Sequence, residues 1–234
     1  MSIFGRIAAV RERLSASARR CGRKPEEVTL MAVTKTHSAT CIREAYEAGL
    51  RVFGENRVQE FAGKAGQLVD LRDTEWHMIG HLQTNKASKA TELFSAVDSV
   101  DSLKLAEKLD AAARALNKSL AALIEINVGG ETAKSGIAAD SRDLEELVLA
   151  APRLEALKFR GLMTVPPFTD DPEDARLYFR KLRGLRDAIA ARKLPGVGID
   201  ELSMGMSHDF EVAIEEGSTC VRVGTAIFGE RTKH

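Results

Sequence analysis

The 234 residues read as one closed (β/α)8 barrel of the α/β class, preceded by an extra helix. Three observations lead there. Short apolar runs alternate with helical stretches through eight units, which implies parallel strands joined by crossovers. The length lies in the usual range for such a barrel and can bury a large core without staples. No strand is followed by a dinucleotide glycine fingerprint, which ranks the runner-up, an open doubly wound sheet, below the barrel. No repeat, low-complexity segment or linker divides the chain, so residues 1–234 are expected to form a single domain.

Ile3, Ile7, Val10 and Leu14 recur at helical spacing, and Gly22 follows the basic pair Arg19-Arg20 as a stop. This first helix precedes the barrel and is expected on its outside or across its bottom. Residues 28–34 are a short apolar run between polar neighbours, hence a buried strand. Helix 40–48 ends at Gly49, and strand 51–54 leads into helix 58–71. Strand 76–80, helix 85–93, strand 96–100 and helix 102–116 come next. The clearest strand, 121–128, precedes helix 141–151. Strand 160–165 stops at Pro166-Pro167, and helix 172–192 is entered through Asp170-Asp171-Pro172, which puts acid and proline in the first turn. Strand 201–204, helix 209–216 and strand 220–223 complete the series.

Composition narrows the function. Lys and Arg number 34 and Asp and Glu 34, so the net charge is zero, without the basic excess of a dedicated nucleic-acid binder. No run reaches the ~18 apolar residues of a membrane span. The first twenty residues carry charge from Arg6 onward and lack the apolar core of a signal peptide. Cys21, Cys41 and Cys220 are odd in number and far apart, neither a disulfide framework nor a metal pair, which points to a reducing cytoplasm.

In a barrel of this kind the reactive groups stand where strands end. Lys35 ends the first strand. Burial there favours the neutral amine, a nucleophile, and the competing reading is a snorkelling or salt-bridged lysine. After the last strand, Gly224-Thr225 opens a short turn toward Ile227-Phe228-Gly229, where backbone N–H groups can face an anion, and Ser207 can add a hydroxyl. Phosphate sites in barrels commonly use the loops after strands seven and eight, although the same glycines also suit plain tight turns. A nucleophilic lysine and a phosphate cradle in one barrel suggest pyridoxal 5′-phosphate held as a Schiff base.

Longer motifs carry a resemblance. Ala32-Val33-Thr34-Lys35-Thr36, Phe53-Gly54-Glu55-Asn56-Arg57-Val58-Gln59-Glu60 and Trp76-His77-Met78-Ile79-Gly80-His81-Leu82-Gln83-Thr84-Asn85-Lys86 resemble the pyridoxal phosphate homeostasis protein family. So do Glu131-Thr132-Ala133-Lys134-Ser135-Gly136-Ile137, Arg160-Gly161-Leu162-Met163 and the block from Leu202-Ser203-Met204-Gly205-Met206-Ser207-His208-Asp209 to Gly229-Glu230-Arg231. The match runs in order over nearly the whole chain. The family's fold is similar to the barrel domain of bacterial alanine racemase without that enzyme's β-rich second domain.

The resemblance implies that Lys35 holds the cofactor aldehyde, that Arg222 faces the pyridine nitrogen, that Ser207, Gly224 and Thr225 hold the phosphate, and that Asn56 lies beside the ring. It implies a cytoplasmic carrier or regulator of free cofactor with no catalytic residues. Its partners would be the cofactor and apo-enzymes that depend on it, and the chain is expected to be a monomer. One departure stands out. The family often has a second lysine two positions after the first, then proline, and this chain has His37 and Ser38.

Two other readings compete. His77 and His81 lie four apart, but one falls in a strand and one in a loop, and no acidic partner sits at HExxH spacing, which argues against metal. Arg222 has a plainer reading as an ion-pair partner of Glu55 or Asp209. The alternative function is a racemase-like enzyme using the same cofactor. It needs an acid or base on each face of the ring, and the two tyrosines, Tyr46 and Tyr178, fall on helices and not at strand ends. An arginine at the ring nitrogen also leaves that nitrogen unprotonated, which weakens the electron sink.

Overall fold

The computed structural model describes residues 1–131 and 135–230. Its strands are β1 (Thr29–Val33), β2 (Val52–Glu55), β3 (Glu75–Met78), β4 (Ala96–Val100), β5 (Leu120–Asn127), β6 (Leu157–Met163), β7 (Val197–Met206) and β8 (Cys220–Val223). Each pairs in parallel with the next. Met31 of β1 lies beside Arg222 of β8, and that pairing closes the ring. A two-residue strand, Ile137–Ala138, extends the pairing on β5. The helices are α1 (Ile3–Arg20), α2 (Ala39–Glu47), α3 (Val58–Ala65), α4 (Ala87–Leu93), α5 (Leu103–Ala115), α6 (Arg142–Ala150), α7 (Arg176–Ala191), α8 (Phe210–Glu215) and the short α9 (Thr225–Phe228).

Strand side chains divide between two packed layers, as the period of two requires. Ala32, Phe53, Val97, Ile124, Leu202 and Val221 join the apolar layer shared with the helices. Met31, Leu123 and Met163 are equally buried but stand outside that layer, filling the barrel interior.

The helix starts obey local chemistry. Ser38, Ser102 and Ser141 cap α2, α5 and α6, each hydroxyl accepting the backbone N–H three residues on. Four segments are shorter or tighter than the sequence pattern suggests. Helix 58–71 ends at Ala65 and continues as a 3₁₀ turn through Gly66–Leu68. Thr84–Lys86, Ala151–Arg153 and Pro172–Ala175 are 3₁₀ turns flanking α4, α6 and α7. Conversely, β7 runs to ten residues, because the strand pattern is blurred by Gly198 and Gly205 while the ladder to β6 holds it extended. Gly205 sits at φ 95°, and a Cβ there would meet Ala213 Cβ at 2.5 Å, so only glycine lets α8 fold back onto the strand.

Each of the eight strands is followed by a helix, but the last unit is short. After β8 the described chain forms only the four-residue α9, too short to cover the ring where β8 meets β1. Helix α1 takes that place, packed against α8, α9 and α2. Ile7, Val10, Leu14 and Ala18 face inward and are at most 5% exposed. Arg13 and Arg20 pair with Glu211 and Glu215 of α8, and Arg11 donates to the carbonyls of Ala48 and Gly49 at the end of α2. The extra helix is therefore on the outside of the barrel and completes its helical coat. No described helix is long and apolar enough to cross a membrane.

Candidate functional site

At the carboxyl ends of the strands lies a cavity of about 290 Å³. Lys35, Asn56, Ser207, Arg222, Gly224 and Thr225, the six residues singled out from sequence, all line it. They come from four separate stretches of chain, brought together by the closure of the ring.

Lys35 is half-buried on the turn after β1, and this turn is tightly specified. Thr36 takes φ 65°, a left-handed conformation that costs a β-branched residue on the order of 1–3 kcal/mol. Four hydrogen bonds hold it. The Thr36 N–H donates to Glu60, the His37 N–H donates to the Thr34 carbonyl, and Lys64 Nζ donates to the carbonyls of Thr34 (3.0 Å) and His37 (3.2 Å). Lys64 also lies 2.8 Å from Glu55 Oε1, and the Thr34 hydroxyl donates to the same oxygen. Burial pushes the Glu55 carboxyl above its usual range, while Lys64 and Thr34 pull it back. Glu55 is thus spoken for by Lys64, not by Arg222.

Arg222 is 3% exposed. Its Nη1 donates to the Ser203 carbonyl and hydroxyl, both at 2.7 Å, and its Nη2 to the Thr164 carbonyl at 2.6 Å. Asp209 is occupied differently, accepting the Met206 N–H at 2.6 Å. The ion-pair reading of Arg222 with Glu55 or Asp209 is therefore replaced by a carbonyl cradle across three strand ends. Burial lowers the guanidinium pKa, opposed by the nearby Cys220, Asp98, Glu125 and Asp209.

Ser207 Oγ accepts the N–H groups of Gly224 and Ala226, each at 3.2 Å. These donors converge on one oxygen, which is the arrangement an anion's oxygen uses. A Cβ on Gly224 would rest 3.4 Å from Val33, so the protein itself tolerates one, and the side open to a ligand is the cavity. Asn56 Oδ1 is buried without a hydrogen-bond partner. A cavity of this size with a lysine at its edge, convergent N–H donors, a fixed guanidinium and an unmet amide oxygen fits an aromatic aldehyde phosphate such as pyridoxal phosphate.

Around it, His37 stacks on Phe228 of α9 at 4.5 Å, and Ser38 caps α2, so the two residues at the family departure have local structural work. His208 contacts the Phe168 ring and the Asp170 carbonyl, drawing the loop after β6 over the rim. Tyr46 and Tyr178 lie on α2 and α7, away from the cavity. His77 and His81 each meet a carboxylate, Asp98 and Asp101 at 3.0 Å, and no group of three metal-type ligands occurs among the described residues. Of the quoted motif Glu131–Ile137, residues 132–134 lie outside the described residues.

Two residues of the site are not evident from strand ends alone. Lys64 continues the Val58-Phe61 stripe at a core position, and that misplaced charge is its signal in the sequence. Glu125, inside an otherwise apolar strand, is 6% exposed with Oε2 unpartnered. Burial, then Asp101, push it up to about 7, against the pull of Arg222 and His81.

Known proteins point the same way. Residues 6–232 match the family described as alanine racemase, N-terminal domain. The pyridoxal phosphate homeostasis protein of Aquifex aeolicus is 46% identical over 231 residues, covering 99% of both chains. The protein of that name from Escherichia coli K12 is 45% identical, covering 96% of this chain and 95% of its own. PipY of Synechococcus elongatus, solved with PLP bound, superposes with a TM-score of 0.84 at 38% identity over 97% of this chain and 100% of its own. Alanine racemase of Streptomyces lavendulae shares the fold, at a TM-score of 0.72 and 20% identity, with 98% of this chain matched to 58% of the enzyme.

Proposed function

Since the chain belongs to the family of pyridoxal phosphate homeostasis proteins, within the alanine racemase N-terminal-domain group, we propose that it binds pyridoxal 5′-phosphate and serves as a carrier or regulator of the free cofactor rather than as an enzyme. The observation that carries this reading is the convergence of six residues from four chain segments on one cavity. When bound, the cofactor supplies an aldehyde that a lysine amine can capture and a ring that withdraws electrons.

The chain's own residues divide the work. Lys35 offers the amine, and the Lys64 clamp on its turn sets where that amine stands. Ser207 with the N–H groups of Gly224 and Ala226 receives the phosphate. Thr225 and Asn56 close the phosphate and ring sides. Arg222, a donor without an acceptor, can hydrogen-bond a ring nitrogen but cannot take a proton from it. That keeps the ring a weak electron sink, and together with tyrosines remote from the cavity it supports holding cofactor over turning over amino acids. The PLP-bound relative supports the cofactor assignment, and the homeostasis names of the relatives support the role. The cytoplasm as location and the monomer as assembly are part of this proposal.

The test is the absorption spectrum of purified protein with cofactor, before and after borohydride. Wild type should show a visible-edge band and a cofactor fixed covalently to Lys35. Lys35→Ala should lose both while keeping some phosphate-driven binding. An adduct on Lys86 or another lysine overturns the site. Steady racemisation by wild type, abolished in Lys35→Ala, overturns the carrier reading in favour of the racemase-like one.

A further inference from the structure

Beside the first cavity lies a second, of about 250 Å³, and Asn56 lines both. Its walls come from the start of α3 and the loop after β3, bringing Arg57, His81 and Lys86 together. Its floor is apolar, with Val58, Met78 and Leu82 each at most 3% exposed.

The charges here are uncompensated. Neither the Arg57 nor the Lys86 side chain makes a hydrogen bond or ion pair with any described residue. That contrasts with Arg43, Arg51 and Arg176, which pair with Asp70, Asp73 and Glu173. His81 gives Nδ1 to Asp101 at 3.0 Å and makes no hydrogen bond through Nε2 to a described residue. Two cations with no counter-charge, on one small cavity with a greasy floor, call for an anion carrying a short apolar part. Arginine's planar fork suits a carboxylate in two-point contact. Free phosphate has no apolar part to meet Val58, Met78 and Leu82, and the convergent N–H donors of the phosphate-type cradle lie elsewhere, at Gly224 and Ala226.

We propose that this cavity is a subsite for small carboxylic acids of the amino- and oxo-acid class, delivered next to the cofactor cavity across Asn56. The meaning of that adjacency rests on the cofactor reading above, whereas the binding itself does not. A carrier with such a subsite would sense or release cofactor according to the supply of the acids that cofactor-dependent enzymes consume.

The probe is pyruvate, titrated by calorimetry into cofactor-free protein. Saturable binding is expected, weakened about tenfold or more in Arg57→Gln and in Lys86→Gln, with cofactor retention in both variants equal to wild type. Both side chains stand clear of the core, so the variants should fold, and circular dichroism checks this. Absence of saturation, or equal binding in the variants, overturns the proposal. So does loss of pyruvate binding in Ser207→Ala instead, which would move it to the phosphate cradle, and so does tighter binding of inorganic phosphate, which would replace the carboxylate class. Cofactor retention is read separately in Lys35→Ala, so failure of the subsite and failure of the cofactor site are distinguishable.

Discussion

The two ends of the barrel differ in a way that cavity size does not show. At the amino-terminal end lies the roomier cavity, about 370 Å³, lined by His77, Asp98, Arg160, Glu201 and Cys220. Its charges answer one another. His77 sits 3.0 Å from Asp98 and 3.6 Å from Glu75, and Arg160 is 3.1 Å from Glu201. Burial alone would lower the His77 pKa, but Asp98 and Glu75 outweigh it and raise it to about 10. Cys220 is buried and pushed up to about 12, so its thiol stays protonated and unreactive. At the carboxyl end, by contrast, Arg57 and Lys86 meet no counter-charge among the described residues, and Asn56 Oδ1 and Glu125 Oε2 are buried without partners, whereas His77 Nε2, which also lacks a hydrogen bond, still has the Glu75 carboxylate beside it. A closed set of pairs holds a fold together. An open set of polar demands waits for a ligand.

Substitutions at the two ends should therefore fail in different ways. The largest effect on stability is expected at the amino-terminal end. His77→Gln leaves Asp98 buried without its cation, a loss of about 3 kcal/mol, which for a domain of this size lowers Tm by roughly 6–12 °C. Cofactor retention at the far end should be untouched, and a spectrum of the loaded variant checks that. The pH dependence is set by the sign of the shift. The folded pKa of His77 lies above the unfolded value of 6.5, so its contribution is fully present below about 6.5 and is lost as pH rises toward about 10. Thermal melts from pH 6 to 10 should show the wild type converging on His77→Gln. Parallel curves would break the comparison.

Glu125 at the mouth is the converse case. A carboxyl raised to about 7 prefers its neutral form in the folded protein, so stability falls as pH climbs above about 4.5 and through about 7. Glu125→Gln should stabilise by roughly 1–3 kcal/mol at pH 8 and leave stability near wild type at pH 4.5, read from denaturant midpoints at the two pH values. A loss at pH 8 would mean that the ionised carboxylate has a partner and that the mouth is as well paired as the opposite end.

The smallest stability change, and the most specific one, belongs to Ser207→Ala. It removes the shared acceptor of two part-buried N–H groups at the edge of the cavity, where water can replace it, so Tm should shift little. Cofactor retention should weaken by about 1–3 kcal/mol, the value of a hydrogen bond to a charged group, measured as the rise in dissociation constant. Unchanged affinity would place the phosphate elsewhere.

Much of this is legible in the chain. β4 and β8 coincide with the strands read from apolar runs, and the six proposed cofactor residues stand at or just past the ends of β1, β2, β7 and β8. The helix-capping serines and the Ile7-Val10-Leu14 stripe are likewise local signals. Glu125 is readable as a charge in an apolar run, but its neighbours Asp101, His81 and Arg222 are not, since they come from three other strand ends.

The amino-acid sequence by itself determined the alternation of strands and helices and the strand-end positions of the six candidate residues, because periodicity, caps and strand ends depend on neighbours within a few positions. Tertiary structure decided the rest: that α1 covers the seam beside the short α9, that Glu55 belongs to Lys64 and Arg222 to the carbonyls of Ser203 and Thr164, and that two cations share a cavity beside Asn56. Each of these pairs groups from different strands or helices. Only ring closure, with β8 laid against β1, sets which side chains meet across the barrel and which are left without a partner.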